Sequence, residues 1–217
     1  MRIILPQISE KKSRWGKQNQ GRAADLRRLH LFLRTYHWFA RVLKKNLPHL
    51  STGLLIGAGE GFLGRFLYND PLLREKIEII GLDIAPRPVN WPLPWKWIHG
   101  ELLKFDGWNR YSFILANWVF YAYDDQDLKK IGEKILDSNA SLLVFAEPYR
   151  SRVHSLGLLF FSTLGLIRSS YPEISTAVQA GFQGRELIEA LRLEDGRWNI
   201  SLSSPFWISQ RLVARRF

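Results

Sequence analysis

The chain has 217 residues, 46% hydrophobic and 24% charged, enough for one domain with a substantial core. It contains no cysteine, which excludes disulfides and thiolate metal sites; the five histidines (30, 37, 49, 99 and 154) form no HxxxH or HxH pair, so no metal is expected. The net charge of +11 points to a nucleic-acid partner only until it is located: residues 1–50 hold twelve Lys and Arg against Glu10 and Asp25, a net +10, and the rest of the chain carries +1.

No segment reaches the ~18–20 continuous apolar residues that span a bilayer, and Ile3-Ile4-Leu5, closed by Pro6, is too short for a signal-peptide core. A cytoplasmic protein, soluble or peripheral to a membrane, is the expectation. Residues 1–22 read as a basic flexible arm with Trp15 as its large apolar group. From Ala23 to Leu47 apolar residues (Leu26, Leu29, Phe32, Leu33, Tyr36, Phe39, Ala40, Leu43) recur at helical spacing, with arginines and lysines mostly off that stripe. This predicts one amphipathic helix over 23–47, either packed on the domain with a solvated basic face or in contact with RNA or an anionic membrane.

After Pro48 short apolar runs alternate with helical stretches. Strands are predicted near 53–56, 76–82, 95–99, 112–116 and 141–146, and helices near 62–69 and 125–136. Such alternation implies a parallel sheet covered on both faces. An uncharged stretch, Leu156–Ile167, reads as a buried helix, as the wall of a hydrophobic acceptor pocket or as a membrane-dipping surface. A helix over 184–192 and two strands, 198–202 and 207–214, close the chain as a hairpin.

The stretch on which this order turns is Gly53-Leu54-Leu55-Ile56-Gly57-Ala58-Gly59-Glu60-Gly61, a strand that breaks into three alternating glycines before a helix. Glycine admits positive φ and close approach of a ligand to the backbone, and a helix start offers free N–H groups. Asp83 ends the next strand, and a glycine turn beside a strand-tip acid is the layout that holds a nucleoside ribose.

With Gly57-Ala58-Gly59-Glu60-Gly61 as the first motif, Gly81-Leu82-Asp83-Ile84 as the second and Gly100-Glu101-Leu102 as the third, residues 50–150 resemble the class I S-adenosylmethionine (SAM) dependent methyltransferases. The resemblance implies a Rossmann-like, seven-stranded, mostly parallel α/β sheet with helices on both faces and a C-terminal antiparallel hairpin. It implies SAM as cofactor, held by Gly57, Ala58, Gly59, Glu60, Gly61, Asp83, Ile84, Glu101, Leu102 and Asn117. The run Asn117-Trp118-Val119-Phe120-Tyr121-Ala122-Tyr123-Asp124-Asp125 is similar to a stretch of small-molecule methyltransferases, and Ala146–Ser151 with Val178–Leu187 resembles a bacterial subgroup of them. One departure is Leu55, where the family usually has an acid two residues before the first motif glycine.

In that frame the domain reads as a helix over 23–47, a SAM core over 50–150, an acceptor-side lid over 151–195 and terminal strands over 196–217. Tyr121, His154 and Glu147 are the catalytic candidates, with Tyr149 and Arg150 nearby, and the acceptor is expected to be a small hydrophobic or aromatic molecule. RNA methylation through the basic arm and a non-catalytic scaffold are the alternatives. A dinucleotide site is less favoured: Gly59, Gly61 and Gly64 fit a GxGxxG spacing, but no later motif supports it.

Overall fold

The computed structural model describes residues 18–47, 50–151, 154–194, 196–205 and 208–217. Most of the expected arm, residues 1–17, lies outside them; Gln18–Arg22 already belong to the first helix. The elements are α1 (Gln18–Phe32), α2 (Thr35–Asn46), β1 (Ser51–Ile56), α3 (Phe62–Tyr68), α4 (Pro71–Arg74), β2 (Ile77–Asp83), β3 (Trp97–His99), β4 (Phe113–Asn117), α5 (Asp125–Leu136), β5 (Leu142–Pro148), α6 (His154–Thr163), α7 (Tyr171–Gln179), α8 (Glu186–Ala190), β6 (Trp198–Ser203) and β7 (Ser209–Arg216).

The strands form one seven-stranded sheet in the order β3-β2-β1-β4-β5-β7-β6. The first five are parallel, and β7 runs antiparallel to both β5 and β6. Alternation along each strand divides the core in two. Leu54, Ile56, Ile80, Leu82, Ile114, Ala116, Leu143 and Phe145 face α1 and α5–α8, whereas Leu55, Ile77, Ile79, Phe113, Leu115, Leu142 and Val144 face α2–α4. Both faces are therefore apolar, as the continuous hydrophobic runs of parallel strands require.

The single helix expected over 23–47 is two helices. The chain turns at Arg34, whose φ of 54° lies in the left-handed region, and Leu33 N still bonds Leu29 O at 2.9 Å. The reason is topological: Leu29 and Leu33 of α1 belong to one core layer, while Tyr36, Phe39 and Leu43 of α2 belong to the other. A straight helix cannot serve both faces of a sheet, so the chain breaks where it passes over the strand tips. Arg211 of β7 donates to Leu33 O at 2.7 Å and holds the break.

α1 is fastened to the far end of the domain by Asp25. Its fully buried carboxylate accepts from the backbone N–H groups of Arg168, Ser169 and Ser170 (3.0, 2.8 and 3.0 Å), from the hydroxyls of Ser169 and Ser170 (3.3 and 2.8 Å) and from Arg28 (2.6 Å). Burial pushes its pKa up, but these donors outweigh it and bring the value down to about 2.

Glycines elsewhere make room for neighbours. Trp91, in the loop after β2, occupies the space that a side chain at Gly64 would fill, Trp97 and Trp91 together occupy that at Gly81, and the two rings stand edge-on at 5.0 Å. Gly64 is thus a packing glycine, which accounts for its accidental fit to a dinucleotide spacing. Gly132, inside α5, lies directly against the Leu191 carbonyl.

Two outcomes follow from these contacts. In an exposed helix, Gly→Ala stabilises by about 1 kcal/mol, but a methyl at Gly132 meets backbone that cannot move aside. Gly132→Ala is therefore expected to lower stability by about 1–3 kcal/mol in urea melts. For Asp25, a folded pKa of about 2 against an ordinary 3.8 means that its contribution is complete above the ordinary value and is lost as pH falls through about 2. Asp25→Asn is expected to melt earlier than the parent at pH 7, with the gap closing as the pH is lowered.

Candidate cofactor site

The strand tips converge on the turn after β1. Gly57, Gly59 and Gly61 have φ of 60°, 56° and 71°, values that non-glycine residues rarely adopt. Gly61 closes the turn by donating to Ala58 O at 3.0 Å, and its own carbonyl receives Arg65 N to start α3. A Cβ at Gly59 would meet nothing closer than Gly57 O at 3.9 Å, so the middle of the turn is open to a ligand rather than packed.

Asp83 ties this turn to the neighbouring strand. One carboxylate oxygen accepts Gly59 N–H at 2.7 Å and the other accepts Ala85 N–H at 2.9 Å, while Ala58 N donates to Leu82 O at 3.2 Å. A carboxylate offers about four acceptor sites, so each oxygen keeps one lone pair for another donor. Ile84, half-buried, is held through its carbonyl by His99 Nε2 at 2.8 Å. Glu101 is exposed and pairs with Lys104 at 3.0 Å, and Leu102 is buried in the core. Tyr123 also belongs to this region: burial first, then the charges of Asp83, Asp127 and Glu101, push its hydroxyl up to about 12.

On the other side of the turn, α1 covers a cavity of about 110 Å³, bounded by Arg27, His30, Tyr36, Glu60, Asn117 and the Gly57–Gly59 backbone. Burial, helped by the Asp83 charge, pushes the Glu60 carboxyl up. Burial pushes the Tyr36 hydroxyl above its ordinary value. Asn117 Nδ2 donates to His30 Nε2 at 3.2 Å; burial, and behind it Arg211, brings the His30 pKa down to about 3 and keeps the ring neutral. Among the described residues, His30 Nδ1, Asn117 Oδ1 and Trp118 Nε1 are buried with no protein partner. His30 and Asn117 line the cavity, and their unpaired atoms are what a polar ligand or ordered water would satisfy.

The acceptor-side expectations fare differently. Glu147 is fully buried, and its two oxygens accept Val119 N–H at 2.8 Å and Tyr121 N–H at 3.2 Å. The structure thus gives it the task of shaping the turn after β4. Named among the catalytic candidates, it is bonded in this structure to two backbone donors of that turn. That turn also holds Trp118 at a φ of 55°, with its N–H bonded to Ala146 O at 2.8 Å. A bulky side chain in the left-handed region marks local strain of the kind found at functional sites. The Trp118 ring stands edge-on to His30 at 5.3 Å and to Tyr121 at 6.3 Å; Tyr121 is 4% exposed. Arg150 is turned away to Glu186. His154 opens α6, and its side chain lies outside the described residues.

The structure therefore brings together Gly57, Ala58, Gly59, Glu60, Asp83 and Asn117, and adds Arg27, His30, Tyr36 and Trp118, which sequence reasoning passed over. A histidine on the buried stripe of α1, four residues after Leu26, was the available signal. Leu55 is buried in the α2–α4 core layer at 1% exposure, and the polar groups of the cavity come from α1, α2, the turn and the end of β4. Among the described residues no group of three His, Asp or Glu is arranged to hold a metal ion.

No protein-family model and no curated protein sequence matches the chain. Solved structures do. The plantazolicin methyltransferase BpumL in complex with S-adenosylhomocysteine (SAH) is similar over 98% of this chain and 91% of its own, with 13% identity and a TM-score of 0.64. Magnesium protoporphyrin IX methyltransferase (ChlM) from Synechocystis PCC 6803, with bound SAH, is similar over 86% and 84%, with 20% identity and a TM-score of 0.55. The N-methyltransferase NodS from Bradyrhizobium japonicum WM9, also with SAH, is similar over 84% and 86%, with 16% identity and a TM-score of 0.54. With the observed strand order and glycine turn, this likeness shows that the chain has the fold of the class I methyltransferases.

Proposed function

We infer that this chain is a SAM-dependent methyltransferase acting on a small, hydrophobic or aromatic acceptor. The observation that carries the reading is the Asp83 carboxylate, bonded to the glycine turn at 2.7 Å with lone pairs to spare, beside a cavity whose buried polar atoms lack partners. The residues present fit the cofactor. Asp83 is suited to accept ribose hydroxyls, the Gly57–Gly61 backbone to admit close approach, and Glu60, Asn117, His30 and Arg27 to meet the amino-acid end.

When bound, SAM supplies a methyl already activated by its sulfonium. The chain's own work is alignment and the exclusion of water, and alignment is worth about 7–11 kcal/mol in favourable cases. Glu147 holds the Trp118–Tyr121 turn by accepting two backbone N–H groups, and a turn fixed in this way is suited to orienting an acceptor. His30, held neutral, orients through hydrogen bonds instead of contributing charge.

Calorimetric titration with SAM and with SAH tests the reading. The parent is expected to bind both in the micromolar range. Asp83→Ala, checked for an unchanged melt, is expected to weaken binding roughly 10- to 100-fold, as removal of charge-assisted hydrogen bonds does. Asn117→Ala should weaken SAH by about tenfold. A folded, monodisperse parent that binds neither compound would overturn the reading, and Leu55 would then mark a fold kept without its cofactor.

A further inference from the structure

Among the helices of the described residues, α6 alone contains no Asp, Glu, Lys or Arg. Its inner face is ordinary core: Leu158 and Phe161 are buried. Its outer face is not, with Leu159 55% and Phe160 56% exposed, and Leu164, in the turn that follows, is 50% exposed. The end of α1 lies alongside it. Phe32 meets Phe161 edge-on at 5.4 Å, Arg28 reaches Leu166 O at 3.5 Å, and Asp25 binds the backbone of residues 168–170. α1 adds its own exposed apolar groups, Leu31 at 38% and Phe32 at 43%. The other large exposed apolar residues are Leu50, Val89, Leu93 and Phe217 on loops and the chain end and Leu72 on the short α4. Among the described residues five gather on two adjoining helices and the turn after α6, and such a patch marks an interaction site.

Its rim is basic. Arg34 and Arg168 are exposed and Arg28 half-buried; Asp25 is turned inward to the backbone of residues 168–170, and Glu173 on α7 is exposed. The seventeen residues ahead of α1 add five further Lys and Arg against Glu10.

We propose that the outer faces of α6 and the α1 end form a docking surface for an anionic lipid bilayer, with Leu31, Phe32, Leu159, Phe160 and Leu164 entering the interface and the arginines pairing with headgroup phosphates. The combination selects this occupant. A nucleic acid would use the cations but leaves five aliphatic and aromatic side chains in water. A second copy would set one arginine rim against another across a two-fold axis, like charge on like. An anionic bilayer satisfies both halves, apolar interior below and negative charge at the rim. The surface is also adjacent to the candidate cofactor cavity, because Ala23, Leu26, Arg27 and His30 of the same α1 line it. The docking proposal itself stands independently of what that cavity binds.

Co-sedimentation of the full chain with vesicles tests it. The parent is expected to pellet with vesicles of equal parts phosphatidylcholine and phosphatidylglycerol and to stay in solution with phosphatidylcholine alone. The double variant Phe160→Glu/Leu164→Glu, both sites being half exposed or more, is expected to melt like the parent and lose binding by at least about tenfold. Arg34→Gln and Arg168→Gln are expected to cost about fivefold each at low salt. Leu159→Glu serves as an independent variant if the double one melts early. Three results would overturn the proposal: a parent that does not pellet with anionic vesicles, equal pelleting of parent and glutamate variants, or a dimeric parent that the glutamate substitutions convert to a monomer. Equal binding of single-stranded RNA by parent and glutamate variants, with RNA blocking the pelleting of both, would make the site a general polyanion surface and overturn it as well.

Discussion

The Asp83 carboxylate is the constraint on which the cleft depends. Its two oxygens hold Gly59 and Ala85, so the turn after β1 and the loop after β2 are fixed relative to each other by one side chain. A glycine-rich turn has the largest conformational entropy to lose on folding. Fastening its middle residue to a charged acceptor converts a floppy segment into a preformed concavity. Burial raises the pKa values of Glu60 and Tyr123, and the same carboxylate charge adds to the shift on both sides of the turn.

A second carboxylate, Asp25, does for α1 what Asp83 does for the turn. Three consecutive backbone N–H groups and two hydroxyls converge on it from residues 168–170, nearly 150 positions along the chain. The consequence is that α1 is held across the strand tips instead of lying loose, and His30, Tyr36 and Arg27 are brought over Gly57 and Asn117. A third, Glu147, shapes the turn after β4 and holds Trp118 in a conformation its side chain disfavours. Three acids hold three irregular segments, each by accepting backbone N–H groups that regular structure leaves unpaired.

The apolar surface on α6 and α1 has a different origin. Uncharged helices are expected to be buried all round, and α6 is buried on one side only, because the domain supplies a single partner layer there. The five exposed side chains are therefore a cost in water that the fold itself does not offset, and the arginines around them give the surface a direction.

Much of this architecture was legible in the chain itself. Local signals act over a few residues and survive any tertiary context: apolar runs of strand length, glycines at alternating positions, the helical period that begins at Asp125, and the hairpin at the end. They determined the strands and the placing of Gly57, Gly59, Gly61 and Asp83 at their tips, whereas the single seven-stranded sheet and Asn117 followed from the resemblance to a known family. What only the tertiary structure decided are the features that depend on which face of the sheet an element meets. The periodicity of residues 23–47 is continuous, so nothing local shows that Leu33 and Tyr36 belong to opposite layers and that the helix must break at Arg34. Glu147 follows an apolar strand as a catalytic acid would, and its role as a turn clasp exists only once β4 and β5 are paired. His30 lies 87 residues from Asn117, and no spacing rule connects them. Periodicity reports what one element wants to bury, whereas the site is made of what different elements happen to bury together, and that is settled only when the layers close.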